Sequence, residues 1–241
     1  MMCEVWWAQV GDVARRHDAL LSEEELERRA RFARVGDSAR FTAGVAVTRL
    51  VLGELLDTPP SSLRFDRKCA HCGAAHGKPA LPDRPDVQWS VSHAGQWVVV
   101  AVHRGPALGV DIEPVSQLPA DELDRLAGYV LTRGERHRLQ MYPPAQRATA
   151  FTTYWARKEA VLKVSGGGMT APGEVALSAP HRAPRILRRA HRDGPVVLLA
   201  LPAPADHAAA LAVASWRRPF VVHRDARRLL GTVSRLVGSG G

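Results

Sequence analysis

The sequence predicts an α+β protein built from two halves, because helical and strand-like patterns follow one another in the same order twice. Two helical patterns precede strand-like segments in residues 1–106, and the same succession returns in residues 107–216. A chain of 241 residues can form two halves of about 110 residues, each with its own core. We therefore expect two similar α+β halves, followed by a basic tail over residues 217–241 that is part helix and part disordered.

The first half should begin with two helices and continue with a hairpin. Ser22 precedes three glutamates, which is typical of a capped helix start, and the helix is predicted to run to about Arg34. Apolar residues at helical spacing predict a second helix over about 37–56. Alternating residues at 87–91 and the apolar run at 97–102 predict a hairpin whose second strand is buried.

The second half should contain a strand, two helices and two further strands. Residues 108–113 read as a short strand that ends at Pro114, and Thr132 with Glu135 forms a capping box that opens a helix to about Met141. Helical spacing predicts a longer helix from about 150 to 164, ended by a glycine run. The last two strands are predicted at 196–201 and 208–216.

The net charge and the cysteine content limit the kinds of partner and the cellular compartment that are expected. The net charge of +9 favours an acidic partner, such as nucleic acid, an anionic surface, a phosphate-rich ligand or an acidic protein. Three cysteines do not make a disulfide framework, the N-terminal sequence lacks the pattern of a signal peptide, and no apolar run is long enough to cross a bilayer. We expect a soluble protein of the reducing cytoplasm.

Lysine is rare in this chain, and its placement is informative. Only four of the 33 basic residues are lysines, and two of them, Lys158 and Lys163, lie in the predicted helix that follows Trp155. Glu159 lies beside the apolar stripe of this helix, and Lys163 is its neighbour one turn later. The sequence leaves two interpretations open, a surface ion pair and a functional site beside the glycine run at 166–168.

Two acidic residues alternate along the predicted strand at 108–113. Asp111 and Glu113 are two residues apart, so they should project from one face while Val110 and Ile112 project from the other. Neighbouring carboxylates with hard oxygen ligands suit Mg²⁺, particularly when substrate phosphates complete the coordination. The alternative is a polar edge on a half-buried strand.

Three shorter motifs have a structural and a chemical interpretation each. Ser92 and His93 end a strand and could bind phosphate or simply form a turn. Lys78 lies in a Gly-Lys-Pro turn that is compatible with phosphate or adenine. The loop with Cys69, His71, Cys72 and His76 either holds zinc or is a reduced loop without metal.

Together these motifs resemble the 4′-phosphopantetheinyl transferases, specifically the two-domain type that activates surfactin synthetase (Sfp-type). The resemblance covers about residues 22–216 and rests on four segments in the family's order: Gly77-Lys78-Pro79, Ser90-Val91-Ser92-His93, Gly109-Val110-Asp111-Ile112-Glu113 and Trp155-x-x-Lys158-Glu159-Ala160-x-x-Lys163. It implies two pseudo-symmetric α+β halves with the active site in the cleft between them. It also implies transfer of the phosphopantetheine arm of coenzyme A to a carrier-protein serine, with release of adenosine 3′,5′-bisphosphate.

The resemblance also implies roles for individual residues. Asp111, Glu113 and Glu159 would bind Mg²⁺, Lys163 would contact the coenzyme A pyrophosphate, and Glu159, Glu135 or water would accept the serine proton. Lys158 would hold the phosphates or the helix. The implied contacts to the coenzyme A phosphates and adenosine are Arg40, Lys78, Ser92 and His93.

Partners follow from the same resemblance. Acyl or peptidyl carrier proteins of fatty-acid, polyketide or nonribosomal-peptide pathways, including antibiotic biosynthesis, are the expected acceptors, and a chain with both halves is expected to act as a monomer. No membrane or nucleic-acid partner is expected. Two alternatives are a basic nucleic-acid-binding module with a Cys/His loop and a catalytically inactive carrier-protein scaffold. Low aromatic content argues against the first, and the intact acidic and lysine set argues against the second.

Overall fold

The chain adopts the predicted α+β class and divides into two compact units. The computed structural model describes residues 1–69, 72–74, 77–166, 171–189 and 194–237. One unit comprises residues 1–66, 80–104 and the segment from 220 onward, and the other comprises 67–79 and 105–219. No helix among the described residues is long and apolar enough to cross a membrane.

Nine strands and six α-helices are described. The strands are β1 (Met2–Gln9), β2 (Val87–Ala94), β3 (Trp97–Arg104), β4 (Leu108–Pro114), β5 (Ala176–Leu177), β6 (Ile186–Arg188), β7 (Val197–Leu201), β8 (His207–Val213) and β9 (Phe220–Asp225). The helices are α1 (Glu23–Ala30), α2 (Val35–Leu56), α3 (Ala120–Val130), α4 (Arg133–Gln140), α5 (Pro144–Ser165) and α6 (Arg227–Val237).

The first unit is built on a four-stranded sheet with the order β2-β3-β1-β9. The predicted hairpin is β2 and β3; β1 pairs antiparallel with β3 and parallel with β9. Helix α2 packs mainly on β3 and β2, and its buried stripe includes Ala43, Val47 and Leu50. Burial of this stripe against the sheet provides most of the core of the unit.

The second unit contains a three-stranded antiparallel sheet with the order β4-β8-β7 and a separate β5–β6 hairpin. Helix α5 lies across β4 and β8 and buries Phe151, Tyr154 and Val161. It begins at Pro144, earlier than predicted, because a proline in the first turn lacks only an N–H that has no partner within the helix. Gly166 ends it with a left-handed backbone (φ 65°).

The compact units differ from the predicted boundaries in two places. Residues 67–79 belong with the second unit, although they lie within the predicted first half. The predicted tail contains β9 and α6, which both belong to the first unit. Helix α6 buries Leu230 and Val233, and Ala226, directly before the helix, is buried with them. The backbone carbonyl of Leu230 lies 3.1 Å from Nε2 of the buried His17. An amphipathic stripe with so much apolar surface needs a partner, and α2 and the 15–20 turn provide it.

Candidate active site

A close crossing of β4 and α5 organises the candidate site in the second unit. Gly109 lies so near to α5 that a Cβ atom built there would be 2.2 Å from the Ala160 carbonyl oxygen and 2.7 Å from Cβ of Lys163. Only glycine permits this approach. Because alternate residues share a face, Asp111 and Glu113 follow Gly109 on the face of β4 that meets α5.

Three carboxylates interact electrostatically at this crossing. Asp111 is buried, whereas Glu113 and Glu159 are half-buried. Burial, together with repulsion from Asp111 and Glu159, raises the pKa of Glu113 to about 7. Burial and repulsion from Asp111 also raise the pKa of Glu159 above its usual range. Burial is the larger cause of both shifts, and the contributions of Asp111 and Glu159 indicate that the three predicted side chains lie near one another.

Lys163 provides a positive charge within this cluster. Its Nζ donates to Oδ1 of Asp111 at 2.7 Å and to the backbone carbonyl of Val110 at 3.1 Å. Its ion pair is therefore made across the crossing to β4, and not along the helix with Glu159. The surface-pair interpretation of Glu159 and Lys163 does not describe this arrangement. The charge of Lys163 also opposes the upward pKa shifts of Glu113 and Glu159.

Lys78 reaches the same strand from the 67–79 segment. Its Nζ donates to the Leu108 carbonyl at 2.6 Å, and its side chain packs beside Gly166 at the end of α5. Carbonyls two residues apart on a strand point to the same edge, so Lys78 on Leu108 and Lys163 on Val110 line one edge of β4. Burial lowers the pKa of Lys78 to about 8. Two ammonium groups along one strand edge are suited to bind an elongated anion such as a pyrophosphate.

Of the two roles that the resemblance implies for Lys158, holding the phosphates or holding the helix, its contacts fit the second. It is fully buried, and its Nζ donates to the carbonyls of Pro172 (2.9 Å) and Val175 (2.7 Å) and pairs with Oε2 of Glu135 at 2.7 Å. Three N–H groups with three acceptors leave none for a phosphate. We therefore correct its role from a coenzyme A contact to a structural ion pair that joins α5 to α4.

Glu135 is likewise committed to the protein interior. Its side chain is fully buried and accepts from the backbone N–H groups of Thr132 and Leu177, the Thr132 hydroxyl and Lys158. Because it is fully buried and its oxygens are engaged by four donors, this carboxylate is not accessible to an external hydroxyl. Glu159 remains the better candidate base.

The remaining predicted contacts lie together in the first unit. Nη1 of Arg40 donates to the Gly95 carbonyl at 3.3 Å, and its guanidinium also pairs with Asp37. Gly95 belongs to the turn between β2 and β3, which directly follows Ser92 and His93. Ser92 is buried and His93 is exposed. The turn thus brings the predicted Arg40, Ser92 and His93 into one neighbourhood.

The donor set at the crossing suits Mg²⁺. Carboxylate oxygens are the ligands that Mg²⁺ prefers, and the mutual repulsion of Asp111, Glu113 and Glu159 is what a divalent cation relieves. Within the described ranges, no three His, Cys, Asp or Glu side chains already have the spacing of a metal centre. Lys163 holds Asp111 in this arrangement, so metal binding would require small side-chain movements.

Two other predicted features extend beyond the described residues. In the Cys/His loop, Cys69 is half-buried and Cys72 is exposed, whereas His71 and His76 lie outside the described residues. The same is true of Gly167 and Gly168 in the glycine run. The zinc hypothesis therefore stays a prediction.

Two features of the site were not assigned from the sequence. The close approach at Gly109 was missed, although a glycine inside an apolar strand pattern indicates that another backbone lies near. For Lys158 a role in holding the helix was one of two predictions, but its burial and its ion pair with Glu135 were not predicted. Its spacing of four residues from Tyr154 and three from Val161 places it on the buried stripe of α5, which was the available signal.

Comparisons with known proteins identify the family of this chain. Residues 107–212 match the profile of the 4′-phosphopantetheinyl transferase superfamily, and residues 6–105 match the profile of a 4′-phosphopantetheinyl transferase N-terminal region. The 4′-phosphopantetheinyl transferase HetI of Nostoc sp. is 32% identical over 186 residues, which cover 76% of this chain and 73% of HetI. The chain therefore belongs to the 4′-phosphopantetheinyl transferase superfamily of enzymes.

Within that superfamily the chain is of the Sfp type, with both halves in one polypeptide. It is 27% identical to Sfp of Bacillus subtilis over 154 residues, which cover 64% of each protein. The psf-1 transferase of Bacillus pumilus is 27% identical over 201 residues, covering 76% of this chain and 81% of psf-1. The resemblance drawn from the four sequence motifs is confirmed.

Proposed function

We propose that this enzyme transfers the 4′-phosphopantetheine arm of coenzyme A to a serine of an apo acyl or peptidyl carrier protein, with Mg²⁺, and releases adenosine 3′,5′-bisphosphate. The observation that carries the proposal is the β4–α5 crossing, where Asp111, Glu113 and Glu159 converge beside Lys163. The comparisons do not favour the nucleic-acid alternative.

The reaction breaks the phosphoanhydride link of the coenzyme A pyrophosphate and forms a phosphate ester with the carrier serine. The carrier serine oxygen attacks the phosphorus of the pantetheine phosphate, and the bond to the bridging oxygen breaks, which leaves adenosine 3′,5′-bisphosphate. The serine proton passes to Glu159, directly or through water, because the raised pKa of Glu159 makes it a stronger base than an ordinary carboxylate.

Charge on the pyrophosphate oxygens is stabilised from two sides. Mg²⁺ on Asp111, Glu113 and Glu159 would supply electrostatic stabilisation of the phosphate oxygens. Lys163 and Lys78, which line one edge of β4, bind the anionic end of coenzyme A as preorganised positive charges. Arg40, Ser92 and His93 are proposed to contact its remaining phosphate and adenosine.

The +9 charge supports the choice of an acidic carrier protein as acceptor, since complementary charge accelerates encounter. We propose a monomer that acts in the reducing cytoplasm, since the three cysteines of the chain do not make a disulfide framework.

The test is to incubate the enzyme with an apo-carrier protein, coenzyme A and Mg²⁺ and to measure the carrier mass. We expect a gain of one phosphopantetheine that disappears with EDTA and in Asp111→Ala. Asp83→Ala is the matched control, because Asp83 is an exposed acid in the first unit, and it should retain transfer. An unchanged mass for fatty-acid, polyketide and nonribosomal-peptide carriers alike would refute the proposal. Salt-sensitive DNA binding in place of transfer would favour the alternative.

A further inference from the structure

A groove in the second unit lies outside the residues assigned to transfer. It has a volume of about 680 Å³ and runs between the C-terminal end of α4 and the hairpin around β5 and β6. Its lining includes Arg138 and Met141 from the helix side and Arg182, Arg185 and Leu187 from the hairpin. A volume of this size is enough to hold several side chains of a bound segment.

Buried hydrogen bonds hold the groove open in advance. Arg157 on α5 is 4% exposed, and its guanidinium donates to the carbonyls of Ala179, Pro180 and Arg182. Ser178 closes the hairpin by donating to the Ala183 carbonyl and accepting from a backbone N–H. A loop fixed at this many points loses little entropy when a ligand binds, so the groove is preorganised.

The lining combines apolar surface with positive charge. Met141 is 74% exposed and Leu187 is 58% exposed, although both are large apolar side chains. Neither Arg182 nor Arg185 forms an ion pair with any carboxylate in the part of the chain that the structure describes. Exposed apolar residues beside unneutralised arginines are the complement of an acidic segment with an apolar side chain.

The groove and the transfer site use different sides of α5. Arg157, which holds the groove loop, and Glu159, which belongs to the carboxylate cluster, are two residues apart and thus about 200° apart around the helix axis. An occupant of the groove leaves the carboxylate cluster accessible. The groove can therefore hold one part of a partner while another part reacts.

We infer that this groove binds an acidic segment with an apolar anchor residue, which flanks the acceptor domain on the carrier-bearing partner. The identity of that partner rests on the proposed function, whereas the chemistry of the groove does not. Binding of the flanking segment raises the effective concentration of the acceptor serine at the transfer site.

The first experiment measures binding without transfer. The probe is a short fluorescent peptide of Glu, Asp and Leu residues, and fluorescence anisotropy gives its dissociation constant for the full chain. We expect Arg182→Glu/Arg185→Glu to weaken binding by about tenfold or more, since both contacts become repulsive. We expect Leu187→Ser, or a peptide with Ser in place of Leu, to weaken it several-fold. These side chains are exposed, so the variants should fold normally, which a thermal melt would verify.

The matched control is Arg15→Glu/Arg16→Glu, which changes the net charge equally with two exposed arginines of the first unit. The inference is overturned if this control weakens peptide binding as much as the groove variant does, because the net charge of the protein would then explain the binding. It is equally overturned if replacing Leu in the peptide has no effect, or if the peptide does not bind.

The second experiment uses one carrier domain with and without the acidic extension. We expect the extension to lower KM for the carrier about tenfold with kcat unchanged, and Arg182→Glu/Arg185→Glu to remove only this gain. If the extension still lowers KM in that variant, the inference that the groove binds the extension is contradicted. Absence of transfer to any carrier by the unmodified enzyme would instead contradict the proposed function, and the anisotropy result would still decide whether the groove binds.

Discussion

Replacing Lys158 by Met should lower the stability of this protein without changing its affinity for coenzyme A. Lys158 and Glu135 are both fully buried, and the substitution leaves the Glu135 carboxylate charged inside the protein, without its cationic partner. It also leaves the carbonyls of Pro172 and Val175 without this donor. Removing one member of a buried ion pair costs about 3–5 kcal/mol. For a protein of this size, that corresponds to a fall in melting temperature of about 6–20 °C.

The assay is thermal and urea unfolding, combined with KM for coenzyme A below the melting range. Arg136→Met, an exposed cation on α4, is the matched control and should melt like the unmodified enzyme. Adding Glu135→Gln to Lys158→Met should recover part of the loss, because the remaining side chain is neutral and still accepts from Leu177. An unchanged melting temperature together with a raised KM for coenzyme A would refute the reasoning and restore Lys158 as a phosphate contact.

Three further outcomes are expected. Gly109→Ala should abolish transfer and lower the melting temperature, because its Cβ would clash with the Ala160 backbone, whereas Gly128→Ala, with open space around it, should be neutral in both assays. KM for coenzyme A should rise as the pH passes about 8, because Lys78 then loses its proton. Lys78→Arg should flatten this pH profile, since arginine keeps its charge. An identical profile in both enzymes would contradict the assignment of Lys78 to coenzyme A binding. Arg157→Met should leave the carbonyls of Ala179, Pro180 and Arg182 without this donor. We expect it to lower stability by about 1–3 kcal/mol and to make the 179–183 loop sensitive to limited proteolysis; a resistant loop would argue against its anchoring role.

Elements with strong local patterns could be predicted from the sequence. The β2–β3 hairpin, α2, β4 and α4 occur close to the predicted residues, because alternation, helical spacing and capping boxes are local signals. Elements that depend on distant partners were missed. β1 and β9 pair across almost the whole chain, and neither sequence carries a record of that pairing. α3 was missed as well, although its apolar residues are buried at helical spacing.

The candidate site divides in the same way. The types and spacing of Asp111, Glu113, Glu159 and Lys163 indicated a carboxylate and phosphate chemistry before the fold was known. Sequence spacing favoured Glu159 as the partner of Lys163. The observed partner is Asp111, because the crossing of β4 and α5 determines which carboxylate lies beside Lys163. Burial decided the role of Lys158, and burial is a property of the assembled core.

The strand β9 has a consequence for how the protein is made. The first unit is interrupted in sequence, so β1 lacks its parallel neighbour, and α2 lacks its contact with α6, until almost the entire chain has been synthesised. During translation the second unit can complete its sheet first, while one edge of β1 stays open to mispairing. Removing the basic C-terminal segment would therefore impair folding of the N-terminal unit. The defect would first be detected as a greater dependence of the nascent chain on chaperones.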